Sequence, residues 1–114
     1  MSLAEKQCEP CQGGIPPLSR EEAQQYLEQT PGWSLDDQAT RISRDFKFKN
    51  FKQALAFVND VGEAAEAEGH HPDIVFGWGY AGITFLTHKI KGLHENDFIM
   101  AARVNALYDQ AQAG

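Results

Sequence analysis

The amino-acid sequence predicts an α+β fold in two layers, a four-stranded antiparallel sheet with three helices on one face. Some segments place apolar residues at three- and four-residue spacing, as helices do, and others alternate apolar with polar residues, as half-buried strands do. Their order is helix, strand, strand, helix, strand, strand, helix, which favours hairpins packed against helices. The length of 114 residues suits one domain. We expect residues 19–114 to form that domain and residues 1–18 to be an N-terminal arm.

The first helix is predicted to begin at a capping box. Ser19 and Glu22 stand three residues apart, so each side chain can accept a hydrogen bond from the backbone N–H of the other. The helix should end before Pro31. Beyond it, the short segment 33–35 and the alternating segment 41–49 predict the first hairpin.

A second helix is expected between two residues suited to its ends. Asn50 is a favourable N-cap, and Gly69 is a favourable residue just after the C-terminus. Apolar residues recur between them at helical spacing: Phe51, Ala54, Leu55, Val58, Val61 and Ala65. The helix should therefore bury one face against the sheet.

The second hairpin and the last helix complete the domain. Residues 74–80 alternate in polarity, Ala81-Gly82 is the predicted turn, and residues 83–88 form the predicted return strand, with His88 at its end. A helix over 95–111 follows. Its inward apolar stripe includes one acid, Asp97.

The charge balance argues against a nucleic-acid partner. Sixteen acidic and ten basic residues give a net charge of −6, whereas affinity for a phosphate backbone comes from Lys and Arg. No apolar run approaches the roughly 18 residues of a membrane span, and residues 1–10 lack the apolar core of a signal peptide. We therefore expect a soluble, cytoplasmic protein that does not act at a membrane.

Cys8 and Cys11 form a C-x-x-C pair in an arm that contains several Gly and Pro residues. A structural zinc site needs four ligands, and no second Cys or His pair follows at a suitable spacing. The composition predicts a loose arm in which the pair has an incidental or locally structural role. Metal binding or redox chemistry is the open alternative.

Three acidic residues stand where local rules disfavour them, as often happens at functional sites. Glu66 and Glu68 fall in the last turn of the second helix, where the helix dipole disfavours a carboxylate by about 0.3–1 kcal/mol. Glu66 borders the apolar stripe and should reach a cleft, while Glu68 should point toward solvent. Asp97 would need a hydrogen-bond donor if it is buried.

The histidines near these acids are the candidate catalytic groups. His70 and His71 follow the C-terminal end of a helix and have a carboxylate within one turn, and both features stabilise an imidazolium. Imidazole donates and accepts protons near neutral pH, so these residues and His88 could supply a general acid and a general base. Each could instead be an ordinary surface or core-edge histidine. A metal site is a further alternative, which two adjacent histidines disfavour.

Taken together, these residues resemble the signature of the pterin-4a-carbinolamine dehydratase family. The resemblance extends from Trp33 to Phe98, and the Cys8–Cys11 arm is similar to that of bacterial members. Its core is the spacing Glu66-x3-His70-His71-Pro72-x5-Trp78-x9-His88-x8-Asp97. The sequence departs from the family pattern at Gly69, where many members have Asp, and at Trp78, where others have Tyr.

The resemblance implies dehydration of 4a-hydroxytetrahydropterin to quinonoid dihydropterin without a metal or organic cofactor, which recycles the cofactor of aromatic amino acid hydroxylases. It implies that His70 and His88 act as general acids toward the two 4a-hydroxyl epimers, and that His71 binds substrate and acts as base. Glu66 and Asp97 would support them. It also implies a homodimer or homotetramer built by joining sheets, and substrate contacts at Pro72, Trp78, Thr87 and Lys89.

The rival hypothesis is a regulatory or dimerisation-cofactor module that binds a partner protein, a role that animal members of the family also have. Three imidazoles with two acids favour the enzyme, because a pure binding module has no physical need for them. A third possibility, a plain pterin-binding protein, predicts affinity without turnover.

Overall fold

The computed structural model describes residues 3–8 and 16–113. In this part of the chain the helices and strands follow the predicted order, with a short 3-10 turn added before the first helix and another before the last. Their bounds are α1 Arg20–Leu27, β1 Ser34–Leu35, β2 Ile42–Lys47, α2 Phe51–Glu68, β3 Asp73–Gly77, β4 Tyr80–Phe85 and α3 Glu95–Ala113, with the 3-10 turns at Leu3–Glu5 and His88–Ile90.

The sheet formed by the described residues has four strands in the spatial order β1-β2-β4-β3, and every neighbouring pair is antiparallel. The two hairpins are joined where β4 pairs with β2, from Ile42 opposite Phe85 to Lys47 opposite Tyr80. The predicted α+β fold class is confirmed.

The central strands and the helices enclose an apolar core. Ile42 and Phe46 of β2 are buried, as are Ala81, Ile83 and Phe85 of β4. The helices cover them with Phe57, Val61, Ala65, Phe98, Ile99, Met100, Ala101 and Val104. Each large side chain contributes about 1.5–3 kcal/mol by burial, so the sheet and the two long helices form a firm scaffold. Among the described residues, no helix combines the length and apolar character needed to cross a bilayer.

The helix ends confirm the predicted caps. The Glu22 N–H donates to Ser19 Oγ at 3.2 Å, and the Ser19 N–H donates to Glu22 Oε1 at 2.9 Å. Asn50 Oδ1 accepts from the Gln53 N–H at 2.9 Å. Two residues predicted on the buried stripe of α2 are nevertheless exposed, Phe51 and Leu55.

The predicted turn at Ala81-Gly82 is wrong, because both residues lie within β4, opposite Phe76 and Val75 of β3. The hairpin turns instead at Trp78-Gly79, where Gly79 has a φ of 84°. Gly82 serves packing, since a Cβ at this position would lie 2.9 Å from the Asp45 carboxylate.

The predicted strand through His88 is also too long. β4 ends at Phe85, and His88 begins the 3-10 turn. Thr87 and Gly92 close this turn as a loop, with the Thr87 N–H donating to the Gly92 carbonyl at 2.9 Å. His88 therefore sits on a loop and not on a strand.

The expectation of a loose arm is wrong for residues 3–8. Leu3 is buried in the main core, and the segment lies against α3. A domain boundary after residue 18 stays a prediction.

Candidate active site

A cavity of about 560 Å³ opens where the end of α2, the start of β3 and the loop after β4 meet. Three of the four histidines in the sequence line it. Of the residues that the structure describes, those that line it are Glu68, Gly69, His70, His71, Pro72, Asp73, Leu86, Thr87, His88 and Lys89. The residues that sequence reasoning had not connected with the site are Gly69, Asp73 and Leu86, and Glu68 had been assigned to solvent.

Backbone geometry at the end of α2 places His70. Gly69 adopts the left-handed conformation with a φ of 65°, and its N–H donates to the Glu66 carbonyl at 3.2 Å. The His70 N–H donates to the Ala65 carbonyl at 3.1 Å. These two bonds form a Schellman motif, which reverses the chain and turns His70 inward. Its ring lies nearly parallel to Phe85, with 6.0 Å between ring centroids.

His70 is paired with Asp97, which is fully buried as its position on the inward stripe predicted. His70 Nε2 lies 2.6 Å from Asp97 Oδ1. The other carboxylate oxygen accepts from the Thr87 hydroxyl at 2.7 Å and from the His94 N–H at 3.0 Å. The expected need of a buried carboxylate for donors is thus met three times.

The beginning of α3 explains the position of Asp97. His94 precedes the helix and Asp97 is its third residue, so the His94 N–H to Asp97 bond is one half of a capping box. The helix dipole also favours an acid here. Sequence reasoning did not include His94. The three-residue spacing between a cap residue and an acid was the available signal.

His71 is paired with Glu66, while the supporting role of this acid stays a prediction. His71 Nε2 lies 2.5 Å from Glu66 Oε1. Unlike the His70 pair, this pair is open to water, since the Glu66 side chain is 78% exposed. The two adjacent imidazoles thus pair with carboxylates on different helices, one buried and one exposed.

The prediction that Glu68 points toward solvent is wrong. Its side chain is only 14% exposed, and its Oε1 atom accepts from the Cys8 N–H at 2.7 Å. Arg103 Nη1 lies 3.6 Å from the same oxygen. The packed N-terminal segment covers this face of α2, which a helical periodicity alone could not reveal.

The remaining predicted site residues divide into two groups. His88, Lys89, Pro72 and Thr87 line the cavity beside the histidine pair. Trp78 is not among the described residues that line the cavity. It lies in the turn at the far end of β3, and 72% of its surface is exposed. Within one chain, therefore, the structure does not bring Trp78 to the histidines.

Cys8 lies close to this region, and Cys11 lies outside the described residues. The Cys8 thiol is half-buried and donates to the Asn96 carbonyl at 3.8 Å. Burial and then the nearby Glu68 carboxylate raise the pKa of this thiol to about 11. Cys8 is therefore a protonated thiol at neutral pH, which suits a packing role better than nucleophilic chemistry.

The arrangement is suited to proton transfer. In the tautomer in which His70 Nε2–H donates to the Asp97 carboxylate, Nδ1 is the ring nitrogen left to exchange a proton with a ligand. His71 and His88 bring further imidazoles to the same cavity from the start of β3 and from the loop after β4. A ligand bound here could receive a proton on one atom and lose a proton from another.

The chain matches a family model described as pterin 4 alpha carbinolamine dehydratase over residues 16–107. Curated relatives provisionally named pterin-4-alpha-carbinolamine dehydratase include a protein of Methylococcus capsulatus, 61% identical over 110 residues, which are 96% of each chain. Another, from Halorhodospira halophila, is 62% identical over 107 residues, covering 94% of this chain and 98% of the relative.

Solved structures include one described as a transcriptional coactivator/pterin dehydratase from Brucella melitensis. Its TM-score is 0.77 at 33% identity, covering 81% of this chain and 98% of that one. Another is a pterin dehydratase-like protein described as a RuBisCO assembly factor in the alpha-carboxysome, with a TM-score of 0.59 at 29% identity, covering 68% of this chain and 89% of that one.

Fold and site together define a small α+β protein with a histidine–carboxylate site suited to acid–base chemistry. The chain belongs to the pterin 4 alpha carbinolamine dehydratase family, a family of hydro-lyases. The family resemblance inferred from the sequence is confirmed.

Proposed function

We propose that this protein dehydrates 4a-hydroxytetrahydropterin to quinonoid dihydropterin by general acid–base catalysis with His70, His71 and His88. The observation that carries the proposal is the buried His70–Asp97 pair, whose Nε2–Oδ1 distance is 2.6 Å, at the wall of a cavity of about 560 Å³. Cavities of this size accept small-molecule ligands.

Dehydration removes one proton and supplies another, so the site needs both an acid and a base. A protonated imidazole gives its proton to the 4a-hydroxyl oxygen, the C4a–O bond breaks, and water leaves. A neutral imidazole accepts the N5 proton, and the N5 electron pair forms the C4a–N5 double bond. Substrate yields quinonoid product plus water, and the proton donated by the acid is balanced by the proton taken by the base.

Roles follow from the surroundings of each imidazole. Asp97 holds Nε2 of His70 and directs Nδ1 to the substrate as a general acid. The His71 and Glu66 side chains are both exposed to water. This exposure suits a base, because a base must pass its proton to solvent after each turnover. His88 is a second acid that approaches from the loop after β4. Pro72, Thr87 and Lys89 complete the pterin pocket.

The test is turnover of enzymatically generated 4a-hydroxytetrahydropterin by His70→Ala and Asp97→Asn variants. Each should lower kcat by on the order of 10²–10⁴-fold, the usual contribution of a general acid. Because the two residues act as one unit, the double variant should be no slower than the slower single variant. Wild-type rates in the folded single variants contradict the proposal.

A matched control is Glu63→Ala, which removes an exposed acid from α2 outside the histidine cavity. It should leave the rate unchanged. Incubation with EDTA should also leave the wild-type rate unchanged, because the proposed steps use imidazoles alone. Loss of activity that zinc restores would contradict the acid–base mechanism.

The wider role that we propose is recycling of the pterin cofactor of an aromatic amino acid hydroxylase in the cytoplasm by a homodimer or homotetramer. The dehydration product is an oxidised dihydropterin, so a reductase must consume it and a pterin-dependent oxygenase must supply the 4a-hydroxy substrate. This role is supported by family membership and by the pocket that the histidines line.

The second candidate function is a regulatory or assembly module that binds a partner protein. It is favoured by exposed apolar residues on the β3–β4 hairpin, Val75, Trp78 and Tyr80. The descriptions of the two similar structures as a coactivator and as an assembly factor also favour it. A folded wild-type protein without dehydratase activity would support this candidate over the enzyme.

A further inference from the structure

The N-terminal segment 3–8 contacts both helices that carry the acids of the site, α2 through Glu68 and α3 through Glu95, Asn96 and Arg103. Its 3-10 turn packs Leu3 into the core, and Lys6 Nζ lies 2.9 Å from Glu95 Oε2 at the beginning of α3. Arg103 of α3 donates from Nη2 to the Lys6 carbonyl at 2.5 Å. The segment is therefore fastened to α3 at several points.

Glu68 fastens the same segment to α2. Its Oε1 atom accepts from the Cys8 N–H at 2.7 Å and lies 3.6 Å from Arg103 Nη1. On the opposite side, the Cys8 thiol donates to the Asn96 carbonyl. Cys8 thus contacts the residue two positions before His70 and the residue immediately before Asp97.

The free energies explain why an acid occupies this position. The helix dipole disfavours a carboxylate in the last turn of a helix. Hydrogen bonds to charged groups are stronger than those between neutral groups. The bond from the Cys8 N–H, which segment 3–8 supplies, and the nearby Arg103 guanidinium together offset the unfavourable dipole at Glu68.

We propose that Glu68 is a positioning residue, which ties segment 3–8 to the end of α2 and thereby fixes His70 against Asp97. The inference rests on the proposed function for its effect on activity, while its effect on His70 is independent of any reaction. Gly69 is all that separates Glu68 from His70 along the chain. A displacement of about 1 Å at a catalytic group can lower the rate on the order of 100-fold. Greater mobility at this end of α2 would therefore displace His70 and lower kcat.

The competing explanation is that segment 3–8 only adds stability. Both explanations predict a lower melting temperature when Glu68 is removed, so stability cannot separate them. A positioning role additionally predicts a change at the His70 ring under conditions in which the protein is fully folded.

The experiment compares Glu68→Ala with Glu68→Gln, whose amide oxygen can still accept from the Cys8 N–H. The readout is the ¹⁵N and ¹H NMR spectrum of the His70 imidazole, assigned with His70→Ala. Glu68→Ala should broaden or shift the Nε2–H signal of the bond to Asp97, and Glu68→Gln should restore it in large part. In the dehydration assay, Glu68→Ala should lower kcat by on the order of 10-fold with little change in KM.

Glu63→Ala, on the exposed side of the same helix, is the control and should leave both readouts unchanged. A wild-type His70 signal in folded Glu68→Ala overturns the positioning role, even if the melting temperature falls. If Glu68→Ala does not fold, Arg103→Lys replaces it in the experiment. Lysine keeps the positive charge but lacks the planar guanidinium that contacts both Glu68 and the Lys6 carbonyl. An unchanged His70 signal in Arg103→Lys also overturns the proposal. Absence of wild-type turnover contradicts the proposed function alone, since the NMR result still decides the role of Glu68.

Discussion

Thr87 and Asp97 are joined inside the protein by a hydrogen bond from the threonine hydroxyl to Oδ2 of the carboxylate, with 2.7 Å between the oxygens. Both side chains are buried. The family resemblance assigned Thr87 to substrate contact, but the Thr87 hydroxyl already donates to the carboxylate partner of His70. Thr87 lines the cavity, but its polar atom holds the acid behind the histidine.

This relationship predicts the behaviour of Thr87→Val, which keeps the shape and removes the hydroxyl. One oxygen of the buried carboxylate loses a donor, so the free energy of unfolding should fall by about 1–3 kcal/mol. Urea denaturation measures this loss. If Thr87 acts through Asp97, kcat should fall while KM changes little, and Thr87→Ser should restore most of kcat. A large rise in KM alone would instead indicate direct substrate binding.

The second prediction concerns the division of labour between His70 and His88. His70 enters the cavity from the end of α2, and His88 enters from the 3-10 turn after β4, so they should protonate the 4a-hydroxyl from different directions. His88→Ala should slow elimination of one 4a-hydroxyl epimer much more than the other, and His70→Ala should show the opposite bias. Rates measured separately on the two epimers test this. Equal slowing of both epimers by both variants would remove His88 from the acids.

The third prediction concerns the turn between β1 and β2 and its dependence on pH. Burial alone would raise the pKa of the Asp36 carboxyl, but hydrogen bonds from Arg41 and Thr40 outweigh it and lower this pKa from its ordinary 3.8. The Thr40 and Arg41 N–H groups donate to Oδ1 at 2.7 and 3.0 Å, and the Thr40 hydroxyl donates to Oδ2 at 2.9 Å.

A carboxyl with a lowered folded-state pKa stabilises the fold above its ordinary pKa, and this stabilisation disappears as the pH falls through the folded-state value. Asp36→Asn should therefore lower the free energy of unfolding by about 1 kcal/mol at pH 7. The difference from wild type should shrink below pH 3.8. Chemical denaturation across this range tests the sign, and a difference that grows toward acid pH would be inconsistent with it.

The fourth prediction is a symmetric homo-oligomer formed through the edge of β3. In the described part of the chain β3 pairs with β4 on one side, and its Val75 side chain is 67% exposed. Open strand edges of this kind are paired or covered in stable proteins. Light scattering at micromolar concentration should give a dimer or tetramer, and Val75→Lys should weaken it because like charges would face each other across the two-fold axis. The control is Gln24→Lys, which adds the same charge at an exposed position of α1 and should leave the assembly intact. A monomeric wild-type protein would refute the prediction.

Local signals in the sequence were sufficient for the helices and for the first hairpin. The Ser19 capping box, the Asn50 cap and Gly69 each depend on residues within one turn, and all three occur as predicted. The second hairpin was placed wrongly, because Ala81-Gly82 has the composition of a turn and the true turn contains a bulky Trp78. Gly82 leaves room for the Asp45 carboxylate on the neighbouring strand, and that contact is not visible in a local pattern.

The candidate site shows the same division. Helical periodicity placed Asp97 on the buried stripe and Glu66 within a turn of the histidine pair, but it did not say which histidine Glu66 contacts. The covered position of Glu68 did not follow from periodicity, because Cys8 lies 60 positions away in sequence. Trp78 was assigned to the site by the family resemblance alone, and within one chain it lies in the turn at the far end of β3, away from the cavity that the histidines line.

The Schellman motif at the end of α2 has a consequence for how freely this region can vary. His70 is oriented by backbone hydrogen bonds to the carbonyls of residues 65 and 66, which every amino acid provides. Apart from Glu66, which pairs with His71, the exposed side chains of this last turn can therefore vary without moving the His70 imidazole. Within the described part of the chain, Gly69 is constrained by its φ of 65° and not by space, since apart from its chain neighbours no atom there lies within 4 Å of where a Cβ would be. After glycine, Asn and Asp tolerate this conformation best. Position 69, next to the histidine pair, can therefore hold a small set of polar residues. Such residues would change the entrance of the pocket and leave the catalytic histidines in place.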